Sequence, residues 1–322
     1  MSAVGTASRS KPSGSTCPNA RSLRLKPRAA RLANTLTLPG FTVLTASDST
    51  WCTIREAGSS NVNDVRTLWK YREVLRMLVL RDLQKKYTKF RLGYFWSLLE
   101  PLGMSLVLWL VFSVLLGERA LGLSPYLLFL SVAILPWWWF TKCVNASTKI
   151  FRGSRGGLTF STLPPQIWVM KTVISSAIEF LFSLPVIVLA IALTRDLPGI
   201  YILLFPVAFI LQFLLLYGIG LLVSSLSVMI PDLARVVKIV LRAMFYLSPI
   251  LYSISNIPEQ MQTVAAINPL VGILGLYRIG WWPQEQTSTT ALVISLSVAA
   301  TLFIAGILTF RGLKTRLFKE AK

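Results

Sequence analysis

The side chains best supplied to do chemistry are cations. Arg81, Lys85 and Lys86 fall within six residues, Tyr87 follows, and the first long apolar run begins soon after. At a membrane surface such a cluster takes phosphate: a guanidinium by paired hydrogen bonds, an ammonium as a point charge. It equally anchors a helix to anionic lipid, and spacing alone does not choose between the two. Other chemistries are poorly supplied. The chain has no histidine, the commonest proton shuttle and metal ligand. Cys17, Cys52 and Cys143 lie far apart with no C-x-x-C spacing, so neither a disulfide framework nor a metal site is expected. No G-x-x-x-x-G-K-S/T run occurs, so the chain is not expected to hydrolyse ATP. Acids number only 13, and Asp64 and Asp82 form no D-x-D, which argues against a sugar-nucleotide transferase. Glu179 stands deep in an apolar run, where an ionisable group is a functional candidate by default. Lys171, two turns earlier, is too far for a simple contact with it.

The elements that must hold these residues are membrane helices. Hydrophobic residues make up 54% of the 322, charged residues only 14%. The apolar residues gather into runs of about 20, the length that crosses ~30 Å of hydrocarbon. Six spans are expected, at about 96–117, 125–147, 167–193, 199–230, 235–255 and 290–310. Residues 257–286 are semi-apolar but interrupted by Pro258, Asn268, Pro269, Gly272, Gly275 and Pro283, which suits a re-entrant hairpin between the fifth and sixth spans. Residues 64–90 read as an amphipathic interfacial helix, with Leu68, Tyr71, Leu75, Leu78, Leu83 and Tyr87 near one face. Arg72, Arg76, Arg81, Lys85, Lys86 and Lys89 supply the other. Residues 1–60, rich in Ser, Thr, Arg, Pro and Ala, read as a disordered basic tail; 61–322 form the membrane domain.

The net charge of +20 would suggest nucleic acid in a soluble protein. Its distribution argues otherwise. With these spans, 30 of the 33 Lys and Arg fall on one side, leaving Arg119, Arg195 and Arg278 on the other. Positive charge collects on the cytoplasmic side, so both termini are expected in the cytoplasm and no nucleic-acid partner is expected. Lys142, Lys171 and Arg242 sit at span ends and are expected to snorkel.

Two blocks carry a family resemblance. One is Arg81-Asp82-Leu83-Gln84-Lys85-Lys86-Tyr87 followed by Leu92-Gly93-Tyr94-Phe95-Trp96-Ser97-Leu98-Leu99-Glu100-Pro101. The other runs Leu247-Ser248-Pro249-Ile250-Leu251-Tyr252, Ile257-Pro258-Glu259, Asn268-Pro269-Leu270 and Tyr277-Arg278. Together they resemble the permeases of ABC-2 type transporters, most of all the branch that exports O-antigen, capsule and teichoic acid. The resemblance covers about 64–322 and implies several things. The chain would be an all-α membrane subunit acting as a pair of identical copies in the bacterial inner membrane. A separate nucleotide-binding subunit would hold ATP and Mg, and this chain would hold no cofactor. Residues Arg81, Lys85, Lys86 and Tyr87 would form a gate helix near the pyrophosphate end of a lipid-linked polysaccharide. Loop 148–165, with Lys149, Phe151, Arg152 and Arg155, would dock on the ATPase, although Gly153, Gly156 and Gly157 make it a poor helix former.

A glycan path would also use aromatic faces, which stack on sugar rings. Trp137, Trp138 and Trp139 crowd the second span, Trp168 opens the third, and Tyr246 and Tyr252 lie around the end of the fifth. An interfacial belt or helix packing explains them as well. Consecutive positions fan around a helix, so the three tryptophans do not all face one channel. A drug- or lipid-exporting permease of the same fold, or a secondary transporter, remains open. The latter would show inverted repeats and several charges midway through the membrane, and neither is seen.

Overall fold

The computed structural model describes residues 69–87, 95–115, 123–151, 163–284 and 288–320. Every regular element among them is helical. A short helix α1 (Arg72–Tyr87) precedes α2 (Phe95–Trp109), which continues as a π-helical turn over Leu110–Leu115. The helices α3 (Tyr126–Ser147), α4 (Pro165–Ser183), α5 (Pro185–Thr194) and α6 (Phe205–Met229) follow. After them come α7 (Leu233–Leu247), the short pair α8 (Glu259–Ala265) and α9 (Pro269–Arg278), and the long α10 (Thr289–Glu320).

Among the described residues four stretches are long and apolar enough to cross a membrane: Tyr126–Ser147, Pro165–Thr194, Ile200–Met229 and Thr289–Leu313. They fall within two residues of the predicted second, third and fourth spans and contain the sixth. The third is α4 running into α5 through Leu184–Pro185, since a proline at the start of a helical segment costs no internal hydrogen bond. Leu98–Val114 is apolar but shorter.

The predicted fifth span, 235–255, is shorter than expected. Its helix ends at Leu247, because Pro249 donates no backbone hydrogen bond and disfavours helix in the residue before it. Fifteen residues rise about 22 Å, less than the hydrocarbon thickness. Beyond the break, α8 and α9 form two short helices joined through Ala266–Asn268. Asn268 caps α9 by accepting from Leu270 N–H at 3.1 Å, and Pro269 opens it. Eight of the ten α9 residues are buried, so it is a core element.

The centre of the bundle is α3. Of its most apolar window 78% is buried, against 22–39% in the other three long stretches. Those must therefore meet lipid or another chain over much of their surface. In the core, Trp139 of α3 meets Phe180 of α4 at 5.0 Å and Phe209 of α6 at 4.9 Å, and the two phenylalanines meet each other at 5.9 Å, a three-ring cluster. Tyr277 of α9 meets Phe205 edge-on at 4.7 Å. Between α6 and α10 the backbones touch directly: a Cβ on Gly306 would overlap the Gly218 carbonyl. Such small-residue contacts let helices approach where water supplies no hydrophobic drive. Several buried serine hydroxyls return to their own helix, as Ser147 to Cys143 O and Ser225 to Leu221 O, and so need no partner from lipid.

Candidate functional site

Chain direction alternates between α3 and α4, so the described cations gather by end. At the end holding Lys149 and Pro165 lies α1. Its Leu75, Val79 and Leu83 are buried against Ile167 of α4, with Leu163, Met170, Ile174 and Ile178 around them. The predicted apolar face is thus largely right, but it is spent on α4 rather than turned wholly to lipid. Val79 lies four residues from both Leu75 and Leu83 and so shares their face, although the predicted face did not include it; Leu68 lies outside the described residues, and the Tyr87 side chain does too.

Two ion pairs fasten the same helices with opposite polarity. Asp82 of α1 receives Lys171 Nζ of α4 at 2.8 Å. Lys86 Nζ of α1 reaches Glu179 Oε1 of α4 at 2.6 Å. The Lys86 side chain stays 54% exposed, while Glu179 is only 9% exposed. Sequence spacing correctly kept Lys171 away from Glu179, but the partner of each stands on a different helix. Lys171 therefore makes an ion pair within the protein instead of simply snorkelling. Lys142 does likewise, with Glu100 at 3.1 Å and the Trp138 ring 5.2 Å beneath its ammonium. Arg81 and Lys85 remain exposed on α1, beside Lys86. Three cations thus share one helical turn and a half, one of them held by a buried carboxylate.

The opposite end holds an arginine that the sequence places among the outside charges and in the second family-like block. Arg278 is 4% exposed. Its guanidinium donates to Pro249 O at 2.6 Å, to Ile250 O at 2.8 Å and to Phe129 O at 3.5 Å, and lies 3.6 Å from the Phe129 ring centre. The break after α7 leaves carbonyls without helical partners, and Arg278 supplies them. Around it, Tyr126 donates to Leu251 O at 2.9 Å, and Asn268 donates to Ser248 Oγ at 2.7 Å. Ser295 of α10 donates to Pro269 O at 2.9 Å and accepts from Gly272 N–H at 3.0 Å. An arginine within a semi-apolar, proline-broken stretch was the available signal for this knot.

The aromatic candidates scatter. Trp139 is buried in a three-ring cluster with Phe180 and Phe209; Trp137 is buried against Phe140 and Phe245. Trp138 and Trp168 are half-buried. Tyr246 is exposed, while Tyr252 donates to Tyr246 O and Leu247 O, both at 3.2 Å. Tyr252 also lines an apolar cleft of ≈ 1060 Å³ beside α7, with Leu222, Val240, Met244, Met261 and Leu302. Of the ATPase-docking candidates, Lys149 is exposed and Phe151 buried; Arg152 and Arg155 lie outside the described residues. Among the described residues no group of His, Cys, Asp or Glu is clustered as a metal site would need.

An all-helical bundle with four membrane-length apolar helices, a basic helix ahead of them and a proline-broken segment knotted to a short buried pair defines a multi-pass membrane protein. Residues 73–282 match the ABC-2 type transporter family, and the chain belongs to it. It is similar to an O-antigen export system permease protein RfbA of Myxococcus xanthus, 27% identical over 243 residues, 75% of this chain and 92% of the relative. An RfbA of Klebsiella pneumoniae is 26% identical over 243 residues, 75% of this chain and 90% of the relative. The polysialic acid transport protein KpsM of Escherichia coli is 27% identical over 237 residues, 70% and 88% of the two chains.

Proposed function

We propose that this chain is the membrane subunit of an ABC exporter that carries a lipid-linked polysaccharide from the cytoplasmic side across the bacterial inner membrane. The observation that carries the reading is the family match, with relatives named for O-antigen and polysialic acid aligned over about nine-tenths of their own length. Those names favour a glycan over a drug or simple lipid. Energy would come from a separate ATPase subunit holding ATP and Mg, docked at the end where Lys149 and Phe151 lie. Six spans, with Leu98–Val114 and α7 completing the four long ones, would leave both termini in the cytoplasm. A second copy would complete the path. Arg235, Lys238 and Arg242 of α7 are exposed and fall outside the lining of the apolar cleft. Intramembrane cations do not face hydrocarbon, so another chain or a water-filled path beside α7 fits them best.

On this reading α1 is a gate whose cations meet the substrate's diphosphate. The test is glycan at the cell surface, normalised to permease in the membrane. Arg81→Ala should impair export and Arg81→Lys should rescue only part, because an ammonium lacks the paired donors of guanidinium. Equal, small and additive losses on neutralising Arg81, Lys85 and Lys86 would instead mean simple anchoring to anionic lipid.

A further inference from the structure

We propose that Glu179 is a positioning residue that competes with the anionic headgroup of the substrate for Lys86, so that headgroup binding releases the last turn of α1 from α4. The inference rests on the reading of α1 as a diphosphate-binding gate helix.

Three observations carry it. First, the pair is asymmetric. The carboxylate is buried on α4 while the ammonium that reaches it at 2.6 Å remains half exposed, open to a ligand. Second, the apolar contact of α1 ends before the cation cluster. Leu75, Val79 and Leu83 are the buried side chains, whereas Gln84, Lys85 and Lys86 are exposed. Beyond Leu83, the Lys86–Glu179 pair ties the last turn to α4. Third, Arg81 and Lys85 precede Lys86 on the same stretch of helix, and both are exposed. A diphosphate gathering Arg81 and Lys85 would meet Lys86 next.

Electrostatics then sets the behaviour. The Glu179 carboxylate holds the cation beside it and opposes an approaching phosphate, which would compete for the same ammonium. A ligand with a single negative charge offers Lys86 no more than Glu179 already does. A diphosphate carries more charge and more acceptor oxygens, and it draws on Arg81 and Lys85 as well, so it can take the ammonium. Glu179 thereby sets a threshold against monoanionic lipids, which surround the helix in large excess. The neighbouring Asp82–Lys171 pair joins the same two helices but places its cation on α4, outside the cluster, and so serves as an internal control.

The experiment uses the full chain in nanodiscs, with spin labels at Gln84→Cys and Phe182→Cys reporting the distance between the last turn of α1 and α4. It is titrated with farnesyl diphosphate, with inorganic pyrophosphate and a short-chain phosphatidylglycerol, whose phosphodiester carries one negative charge, in parallel. In the otherwise unchanged protein, farnesyl diphosphate should lengthen and broaden the distance. Pyrophosphate should do so only at higher concentration if the lipid chain contributes, and the phosphatidylglycerol should have little effect. Glu179→Gln keeps an acceptor for Lys86 but removes the charge. It should lower the half-saturating diphosphate concentration about 3- to 10-fold, broaden the distance without ligand, and let the phosphatidylglycerol act. Asp82→Asn should leave the half-saturation within about twofold. If Glu179→Gln weakens the response, leaves it unchanged, or matches Asp82→Asn, the competition is overturned and Glu179 is a structural partner. If the unchanged protein answers no phosphate at all, the gate reading of α1 fails, and the present proposal falls with it.

Discussion

Two arginine- or lysine-based contacts hold opposite ends of this molecule, and they are built differently. At one end Arg278 is buried and meets backbone carbonyls that have nowhere else to go. At the other, Lys86 is half exposed and meets one carboxylate. A carbonyl cannot leave its place, and the guanidinium lies over the Phe129 ring besides. The first contact is therefore part of the fold. The second is one that a competing anion can enter. Burial and the identity of the acceptor, rather than charge as such, decide which cation is fixed and which is exchangeable.

The largest expected effect tests the fixed end. Arg278→Met keeps much of the side-chain volume but orphans two carbonyls, each worth roughly 1–3 kcal/mol when left unpaired. With the lost ring contact the total is about 3–5 kcal/mol, which should lower the thermal midpoint of the purified protein and its level in the membrane. Arg278→Lys should recover only part, because an ammonium does not span both carbonyls in the plane of a guanidinium. Full stability in Arg278→Met would erase the distinction between the two ends.

An intermediate effect belongs to the apolar footing of α1. Val79 is 4% exposed among Leu75, Leu83 and Ile167. Val79→Ala removes two methyl groups from a small cluster, about 1–2 kcal/mol. The loss should fall on α1 alone: limited proteolysis near residues 72–87 should quicken while the thermal midpoint of the bundle stays nearly constant. A matched drop in both would mean that α1 is as integral to the fold as the Arg278 knot.

These regions differed in how far the sequence revealed them. The long spans were legible because an apolar window of membrane length has few other uses, and helix ends follow where apolarity stops. The buried leucines of α1 were legible from helical spacing. In the fifth span apolar residues continue past Pro249 while the helix stops at Leu247, as a proline there dictates. Glu179 stood out as a lone intramembrane acid, yet its partner lies 93 positions earlier, and no periodicity reaches that far. Arg278 was hidden for the same reason. Its acceptors are carbonyls, which every residue owns, so only the folded break at Pro249 marks them as available.

The smallest effect comes from a third ion pair, and it tests whether burial orders all such contacts. Lys142 Nζ reaches Glu100 Oε2 at 3.1 Å, with the lysine side chain 34% and the glutamate 52% exposed. Geometrically this pair resembles Lys86–Glu179, but neither partner is enclosed. Exposed pairs give about 0.2–1 kcal/mol because solvent screens them and two long side chains lose freedom to make them. A double-mutant cycle with Lys142→Met and Glu100→Gln should therefore return a coupling below about 1 kcal/mol that shrinks as salt rises. The ring of Trp138 beneath Lys142 adds a contact that survives Glu100→Gln. Removing the glutamate should thus cost less than removing the lysine, whose stem also covers the tryptophan. A coupling above about 2 kcal/mol, insensitive to salt, would show that this pair is enclosed in the assembled membrane protein. Burial within a single chain would then no longer rank the contacts, and a second copy or a partner subunit would have to cover this end of α2 and α3.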